Sequence, residues 1–464
     1  MRLKRRRHSG QEEGLLRSLG LAMRRGDART RLSFLLMGSG CLFRGQVVRG
    51  LLYLLSEGLF FWYLFGFGWR YLAKFPTLGT QTQTRVFDEE AGIYRVAPGD
   101  NSMEILLFSV VTILLILVFL RLYAGNVHTA WQAQQQQARG EPLPTFRDDW
   151  RSLFDQRYHL TLLTLPTLLV TVFTILPLIF MVLIAFTNFD KAHQPPGNLF
   201  TWVGFENFRE LFSGAGQKSY TFFHLFGWTV VWAIFATFLN YLLGMVVALM
   251  INKRGIRAKG LWRTLFVIPI AVPQFVTLML MSQLLSSEGT GGAINVLLQQ
   301  LGWIGAPINF LTDGTLAKIT VIVVNIWIGI PYTMLITTGI LMNIPEEMYE
   351  SARIDGAGPA RTFFSITLPY MLFVTTPYLI TQFVGNFNNF NVIYLLTGGG
   401  PLSLDYYQAG KTDLLVTWLY KQTVNQQNYN LASTIGIIVF IVSAGLSLLV
   451  YNSSASARKE DQFQ

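Results

Sequence analysis

The sequence has a single cysteine, Cys41, among 464 residues, and only 13% of its residues are charged. One cysteine excludes a disulfide within the chain and a thiolate metal cluster. Charged residues make up about 25% of a typical soluble domain, so a content this low argues against that class. Metal-ligand spacing is also missing from the five histidines, which are His8, His128, His159, His193 and His224.

Apolar sequence dominates instead, with 51% hydrophobic residues. Several runs reach the roughly 20 residues that a helix needs to cross a bilayer. We predict eight spanning helices, at 46–68, 103–122, 160–187, 222–251, 261–285, 317–342, 367–396 and 431–452. The fold class is therefore an all-α polytopic membrane protein. Residues 32–43 are apolar but too short to span, and they predict an interfacial helix.

Lysine and arginine are distributed unevenly between the connecting segments. With the N-terminus inside, 25 of them fall in inside segments and 10 in outside loops. Inside loops are enriched in basic residues, so we predict that both termini are cytoplasmic. The net charge of +10 is then explained by membrane topology. Nucleic acid is therefore not an expected partner. The basic start, Lys4 to Arg7, is expected to be retained, because the first long apolar run begins only near Gln46.

A polar segment divides the predicted spans into two groups. Gln132 to Gln137 is a low-complexity run followed by Glu141 to Pro144, and this composition predicts a solvated linker. We therefore divide the chain into a basic N-terminus (1–45), a two-helix segment (46–122), a linker (123–159), a six-helix core (160–452) and a tail (453–464).

Seven prolines fall inside or at the edges of the predicted spans: Pro166, Pro177, Pro269, Pro273, Pro331, Pro369 and Pro377. Each removes a backbone donor and favours a kink. Within a membrane, such breaks persist where protein or a wet cavity satisfies the freed carbonyl groups. Helix packing would explain any single one of these prolines. Seven together favour helices that are bent around a transport pathway.

The segment 343–368 predicts a short helix, a tight turn and a second helix. Pro345 suits the first helical position. Gly356 suits a left-handed end to a helix of about three turns, and Pro359 starts the next helix.

This short helix is expected to expose Met348, Tyr349 and Ala352 among charged residues. Such a helix could dock in a groove on a partner. It could also be an amphipathic connector lying on the membrane surface. The local sequence leaves both interpretations open.

The same segment resembles the EAA motif of ABC importer permeases. The resemblance rests on Glu350-x-Ala352-x-x-Asp355-Gly356-Ala357, followed by Ile366-x-Leu368-Pro369. Ser351 departs mildly from the alanine usual at the second position. The resemblance implies that the segment is a coupling loop whose helix sits in a cleft of an ATPase subunit. The positions implied in that contact are Glu350, Ala352, Asp355, Gly356 and Ala357.

Four further segments are similar to the MalF-type maltose permease subunit: 327–332, 386–390, 397–401 and 412–416. This resemblance implies a six-helix ABC importer permease core plus two N-terminal helices, in a bacterial inner membrane. It implies a second six-helix permease subunit, two ATPase subunits that hold ATP and Mg, and an extracytoplasmic sugar-binding protein. No cofactor, metal or enzymatic activity is expected in this chain. The implied substrate is maltose or maltodextrin, with another oligosaccharide or glycoside as the alternative.

Polar side chains within the core spans are candidates for holding a sugar. Buried amides and hydroxyls are costly in a membrane and usually face the bundle interior or a cavity. Asn386 and Asn389 share one helical face because they are three residues apart, whereas Asn388 points elsewhere. Any single amide is equally explained by a hydrogen bond between helices.

The family resemblance assigns six of these positions to the sugar site, and we add a glutamine of the fifth span. The set is Gln274, Gly329, Tyr332, Gln382, Gly385, Asn386 and Asn389. Gln382 and Gly385 replace a smaller hydroxyl residue and an aromatic residue of a relative. The small residue at 385 predicts room for a longer oligosaccharide.

Sequence patterns for ATP binding, proton coupling and enzymatic activity are incomplete or missing in this chain. Gly410-Lys411-Thr412 resembles the end of a P-loop, but Asp405 stands where that motif needs glycine. A proton-coupled secondary transporter predicts an inverted repeat and intramembrane carboxylates, and neither is found. Glu57, in the first span, is a candidate for a helix-packing contact only. A membrane enzyme would need a convergent His, Asp or Cys constellation, which the sequence lacks.

Overall fold

The computed structural model describes residues 14–89, 92–253, 255–289 and 291–453. These residues form 21 α-helices and one β-hairpin, with short π-helical or 3-10 segments between some of the helices. They fall into two compact units, the first ending at Trp202 and the second beginning at Val203. The basic start at Lys4 to Arg7 and the tail beyond residue 453 lie outside the described residues.

The first unit contains nine helices and both strands. Its helices are α1 (Leu15–Arg25), α2 (Ala28–Leu32), α3 (Ser39–Leu42), α4 (Val47–Tyr63), α5 (Trp69–Lys74), α6 (Ser102–Ala138), α7 (Phe146–Phe154), α8 (Tyr158–Val170) and α9 (Leu176–Ile184). The strands β1 (Thr84–Asp88) and β2 (Ile93–Ala97) pair antiparallel, with Thr84 opposite Ala97. Helices α8 and α9 belong to this unit, so the division differs from the predicted six-helix core that began at residue 160.

Helix α6 continues well beyond the predicted end of the second span at residue 122. Asn101 caps its start by accepting hydrogen bonds from two backbone amides. The Gln132 to Gln137 run forms its last turns rather than a solvated linker. Gln134 accepts hydrogen bonds from the Thr30 hydroxyl at 2.8 Å and the Asp27 amide at 3.0 Å. These partners lie about a hundred residues away, which is why composition alone indicated a linker.

Residues 32–43, predicted as one interfacial helix, form the end of α2, a turn and α3. Met37 of the turn and Cys41 of α3 are fully buried, whereas Leu35 of the turn is 81% exposed. The Met37 amide donates to Glu57 Oε2 at 2.8 Å, and the Gly38 amide donates to Asn126 Oδ1 at 2.8 Å. Glu57 therefore makes the kind of packing contact proposed for it.

The hairpin leads into α6 through Asp100. Its carboxylate accepts hydrogen bonds from Lys74 Nζ at 2.5 Å, Thr80 N at 2.9 Å and Gln81 N at 3.2 Å. The hydrogen bond from Lys74 is the main reason that the pKa of Asp100 lies below its ordinary value, with the two amides adding to it. This carboxylate ties both ends of the 75–99 segment together.

The second unit contains twelve helices. They are α10 (Glu206–Phe212), α11 (Gly216–Asn252), α12 (Lys259–Val267), α13 (Gln274–Leu284), α14 (Ala293–Gln300), α15 (Gly314–Leu341), α16 (Glu346–Ile354), α17 (Pro359–Thr362), α18 (Leu368–Phe387), α19 (Asn391–Thr397), α20 (Leu415–Val424) and α21 (Tyr429–Ser453). A 3-10 turn, Ile268–Ala271, follows α12, and a π-helical turn, Phe363–Thr367, precedes α18.

Seven helical stretches in the described residues are long and apolar enough to cross a membrane. They are Val47–Lys74, Ser102–Ala138, Tyr158–Ile184, Gly216–Asn252, Gly314–Leu341, Pro359–Thr397 and Tyr429–Asn452. The pair Lys259–Ala271 and Gln274–Leu284 is bent by 87° and makes an eighth if it is one span. The predicted fold class, an all-helical polytopic membrane protein, is confirmed, and the hairpin is an unpredicted addition.

The predicted prolines act in different ways. Pro269 and Pro273 flank the 87° break between α12 and α13. Pro177 and Pro369 each follow a π-helical turn, where the wider helix tolerates the missing backbone donor. Pro331 lies within the continuous helix α15. Only the pair at the break therefore redirects the chain sharply.

Helices α11 and α15 approach each other closely. A Cβ on Gly244 would collide with the Thr333 side chain, so glycine is required at this crossing. The Thr333 hydroxyl donates to the Asn240 carbonyl at 2.9 Å. Small residues and interhelical hydrogen bonds are how membrane helices associate without a hydrophobic driving force. The pair forms a rigid wall in the middle of the second unit.

Candidate functional site

A cavity of about 790 Å³ opens in the second unit. Its walls come from α11, α15 and α18, and from the break between α12 and α13. The volume lies within the range of about 300–1,000 Å³ typical of small-molecule sites. The break matters here because it turns Pro273 and Gln274 towards this space.

All seven residues predicted to hold a sugar line this one cavity: Gln274, Gly329, Tyr332, Gln382, Gly385, Asn386 and Asn389. They come from α13, α15, α18 and the turn after α18, up to 115 residues apart, so only the fold brings them together. Asn240 and Tyr241 of α11 line it as well.

The amides at the end of α18 form a connected group. Asn386 Nδ2 donates to Thr237 Oγ1 at 3.0 Å, and the Asn386 carbonyl accepts from Trp232 Nε1 at 3.0 Å. Asn389 follows the last helical residue, yet it faces the same cavity. Asn388 instead donates to the Val384 carbonyl and to Ser443, away from the cavity as predicted. Asn386 thus makes a hydrogen bond between helices and also lines the cavity.

The glycines of the wall have different surroundings. A Cβ on Gly329 would lie 2.5 Å from Asn240 Nδ2, so the absence of a side chain lets Asn240 enter the wall. A Cβ on Gly385 would meet nothing within 4 Å. Position 385 therefore borders open space, and a longer sugar in that space stays a prediction.

Three polar atoms in the wall are buried and have no hydrogen-bond partner within the described residues: Asn240 Oδ1, Asn325 Nδ2 and Tyr378 Oη. Buried polar groups normally find partners, so three such atoms in one wall are unusual. Asn325 and Tyr378 were not among the predicted site residues. An amide within an apolar helix was the available signal for Asn325, since such groups usually face an interior or a cavity.

The chemistry of the wall is aromatic and uncharged. Trp327 and Tyr332 line the cavity, and each exposes 52% of its surface. Among the described residues that line the cavity, there is no Asp, Glu, Lys, Arg or His. Amides, hydroxyls and aromatic rings suit a neutral, polyhydroxylated ligand, and they offer nothing to balance a charged one.

The segment 343–368 forms the predicted helix, turn and helix. Helix α16 begins at Glu346, one residue later than predicted, after Pro345. Gly356 has φ +71°, the left-handed conformation expected at the helix end. The Ala357 amide donates to the Ala352 carbonyl at 2.8 Å, which closes the turn before α17 starts at Pro359.

One part of the prediction for α16 is wrong. Tyr349 and Ala352 are not exposed: Ala352 is buried, and Tyr349 is half-buried with its hydroxyl 3.1 Å from Thr367 Oγ1. The Tyr349 hydroxyl thus links the helix to Thr367, the residue directly before α18. Its exposed face carries Glu350 and Ile354, the latter 85% exposed. Asp355 and Gly356 lie at the exposed end of the same helix.

Comparison with known proteins identifies close sequence relatives. Residues 240–458 match the family model described as "Binding-protein-dependent transport system inner membrane component". The chain is 35% identical over 432 residues to the maltodextrin transport system permease protein MdxF of Bacillus subtilis (strain 168), covering 91% of this chain and 95% of that one. It is 34% identical over 365 residues to the galactooligosaccharides transport system permease protein GanP of the same organism. That match covers 78% of this chain and 86% of GanP.

A solved structure shares the fold. It is a bacterial ABC transporter involved in the import of the acidic polysaccharide alginate, with a TM-score of 0.53 and 23% sequence identity. The match covers 66% of this chain and 97% of that chain.

Proposed function

Because this chain belongs to the family of binding-protein-dependent transport system inner membrane components, we propose that it forms half of the path for a neutral oligosaccharide of the maltodextrin type. The chain is a multi-pass permease subunit of an ABC sugar importer in the inner membrane. ATP hydrolysis belongs to separate ATPase subunits, and this chain carries no cofactor of its own.

The chemistry of the cavity wall carries the proposal for the substrate. Sugar hydroxyls can pair with Asn386, Asn389 and Gln382, and the partly exposed rings of Trp327 and Tyr332 can cover the apolar side of a pyranose ring. A charged sugar would need counter-charges in this wall, and the lining residues that the structure describes offer none. A neutral oligosaccharide therefore fits better than a uronate.

The loop 343–368 is the proposed contact with the ATPase. The exposed face at Glu350 and the turn at Asp355 and Gly356 would enter a cleft of that subunit. The contact between Tyr349 and Thr367 would then pass its movement to α18, whose far end bears Gln382, Gly385 and Asn386. Closure of the ATPase pair on ATP would open the cavity outwards, and hydrolysis would reset it.

The proposed orientation has both termini and the 343–368 loop in the cytoplasm. The total of 25 lysines and arginines in all the inside segments, against 10 in the outside loops, supports it. A second, six-helix permease subunit would complete the path opposite α15 and α18. An extracytoplasmic binding protein would deliver the sugar from the other side.

A galacto-oligosaccharide is the second candidate substrate, because GanP is almost as similar to this chain as MdxF is. Both candidates are neutral and polyhydroxylated. They differ in the orientation of a hydroxyl group and in their linkages, so a direct comparison of uptake distinguishes them.

The test is uptake by the complete complex in proteoliposomes, with radiolabelled maltotriose, a β-galacto-oligosaccharide of equal length and an oligouronate. We expect ATP-dependent uptake of maltotriose well above that of the other two. Preferred uptake of the galacto-oligosaccharide would select the second candidate. Preferred uptake of the uronate, or any uptake without ATPase subunits, would overturn the proposal.

A further inference from the structure

Helix α7 (Phe146–Phe154) carries three exposed aromatic residues along one face. Phe146, Trp150 and Phe154 are spaced four residues apart, so they lie on the same side of the helix. Neighbouring ring centroids are 6.3 Å and 5.6 Å apart, and the three residues are 50%, 56% and 60% exposed. We call these residues the aromatic stripe. Exposed apolar residues are common on proteins, so the place of the stripe in the fold decides what covers it.

The rest of the surface of α7 is polar. Asp148 accepts a hydrogen bond from the backbone amide of the N-cap residue at 2.8 Å, and Asp149 accepts from Arg49 Nε at 2.9 Å. Both carboxylates are therefore engaged within the chain, whereas Arg147 and Arg151 are exposed. A helix with aromatic residues on one face and arginines beside them has the composition of a membrane-surface helix.

Two contacts fasten α7 to the start of the first span, Val47–Lys74. One is the ion pair of Arg49 with Asp149. In the other, Gln46 Nε2 donates to the Pro144 carbonyl at 3.1 Å, just before α7 begins. The helix is therefore held at the level where the first span enters the membrane.

Apolar residues of the neighbouring spans adjoin both ends of the stripe. Phe146 lines the same cleft as Val47 and Val48, which are 53% and 40% exposed. At the other end, Phe154 precedes Tyr158, the first residue of α8 and of the third span. The stripe thus connects the apolar surfaces of two spans.

The length of the first span indicates the depth of this contact. Arg49 and Trp69 are 20 residues apart, about 30 Å along the helical axis, which equals the thickness of the hydrocarbon core. Trp69 is 57% exposed, as expected of tryptophan at a membrane border. Exposed apolar residues also precede Arg49, between Leu35 and Val48. Arg49 therefore lies at the opposite border, within the apolar surface and not beyond it.

The polar face of α7 shows in which direction the stripe points. Asp148 and Ser152 line a cleft of about 420 Å³ together with Gln132 and Gln136, in the last turns of α6. The described residues that line this cleft include none of the aromatic stripe. Because α6 continues past its apolar part to these glutamines, the polar face of α7 looks away from the membrane core. The stripe lies on the other side of the helix and faces the lipid.

We propose that α7 is a membrane-surface helix whose aromatic stripe lies in the leaflet where the first span begins, and whose Arg147 and Arg151 bind the phosphates of anionic lipids. In the proposed orientation this is the cytoplasmic leaflet, and the inference does not depend on the sugar that is carried. Anionic lipids attract basic residues at a membrane surface. Since only residues 155–157 separate α7 from α8, insertion of the stripe would hold the start of the third span at a fixed depth.

The first test measures depth with nitroxide labels on the complete complex, in nanodiscs of equal parts phosphatidylcholine and phosphatidylglycerol. Phe154→Cys carries the label in the stripe, and Asp155→Cys, at the exposed C-cap on the polar side, is the matched control. We expect oxygen to collide with the label at 154 about threefold more often than a water-soluble nickel chelate does, because the leaflet excludes the chelate. The order should be reversed at 155. The native Cys41 is fully buried and takes up little label.

More frequent collisions with the chelate at 154 would place the stripe in water and overturn the proposal. A label at 154 that neither reagent reaches would show that a second permease or an ATPase subunit covers the stripe, which would overturn the lipid contact as well. The measurement involves no transport, so a failure of the proposed function leaves its result unaffected.

The second test concerns the arginines. In nanodiscs of phosphatidylcholine alone, the ratio of oxygen to chelate collisions at 154 should fall about threefold, because the attraction to anionic headgroups is lost. Arg147→Gln with Arg151→Gln should remove this dependence on lipid composition. Arg139→Gln with Arg257→Gln removes the same charge from exposed positions outside α7 and should preserve the dependence. A dependence that persists without Arg147 and Arg151, or none with them present, would overturn the proposed headgroup contact.

Discussion

Gly329 of α15 lies against Asn240 of α11, so close that a Cβ on the glycine would be 2.5 Å from Asn240 Nδ2 and 2.6 Å from its Cγ. Asn240 in turn donates to the Ala236 carbonyl at 2.7 Å and leaves its Oδ1 without a partner. The glycine therefore decides where a buried polar oxygen of the cavity wall is held.

Gly329→Ala is expected to displace the Asn240 side chain and lower ATP-dependent sugar uptake at least tenfold, about 1.4 kcal/mol in binding terms. Complex assembly should persist, because alanine favours the helix by roughly 1 kcal/mol over glycine. Uptake by proteoliposomes and the yield of purified complex measure the two effects. Gly339→Ala on the same helix, where a Cβ meets nothing within 4 Å, should leave uptake unchanged. Equal effects of the two variants would contradict the role assigned to Gly329.

Gly385→Phe is expected to shift selectivity towards shorter sugars. The glycine borders open space in the cavity, so a phenyl group can enter and occupy part of it. Competition between labelled maltose and maltotetraose measures the ratio of uptake rates, which should move towards maltose by about tenfold. Gly227→Phe, at an exposed glycine of α11 outside the cavity wall, is the control. An unchanged ratio in Gly385→Phe would exclude this position from setting chain length.

The turn after α16 can be tested through its backbone. Gly356 has φ +71° and a free space where a Cβ would stand, so only the backbone conformation penalises a side chain. Gly356→Val should strain the turn by roughly 1–2 kcal/mol and uncouple ATP hydrolysis from uptake, whereas Gly356→Asn should retain most activity. The ratio of sugar imported to ATP hydrolysed is the measurement. Gly358 has an ordinary φ of −70°, and a Cβ there would meet no atom within 4 Å. The control variant Gly358→Ala should therefore behave as wild type.

The Asp100 clamp predicts a pH dependence. The hydrogen bond from Lys74 depresses the pKa of this carboxyl, so its stabilisation is present above the ordinary value of 3.8 and is lost as the pH falls through the lowered value. The 75–99 segment should therefore keep its protection at pH 6 and lose it only below about pH 4. Hydrogen exchange of the Thr80 and Gln81 amides, corrected for intrinsic rates, measures this.

A variant checks the same clamp at neutral pH. Asp100→Asn should raise tryptic cleavage at Arg85 and Arg95 by about tenfold, because both amides and Lys74 lose a charged acceptor. Asp405→Asn, at an exposed aspartate of the second unit, serves as the comparison and should not alter cleavage there. No increase in Asp100→Asn would show that other contacts hold the segment.

Local patterns in the sequence carried much of the prediction. The apolar runs were long enough to locate the spans, and the glycine and prolines around α16 predicted its helix and turn. Six of the seven cavity residues were found because family resemblance linked positions in α15 and near the end of α18, and Gln274 was added as a polar residue of the fifth span. All seven share a wall in the structure. Their role in binding sugar stays a prediction.

The features that the sequence did not predict depend on contacts with residues distant in the chain or in another helix. The glutamines at the end of α6 look solvated until Thr30 and Asp27 are placed beside Gln134. Tyr349 looked exposed because its partner Thr367 belongs to the next helix. The β-hairpin carries charged residues and no strong turn signal, so nothing local distinguished it from a loop.

The uncharged wall of the cavity has an electrical consequence. Moving one elementary charge through a membrane potential of 100 mV involves about 2.3 kcal/mol. Since none of the described lining residues is Asp, Glu, Lys, Arg or His, a neutral sugar held there brings no charge into this half of the path and meets none. The voltage across the membrane then does no work on this half of the loaded cavity, so a dependence of the importer's rate on voltage at equal ATP would have to arise from charges elsewhere in the complex.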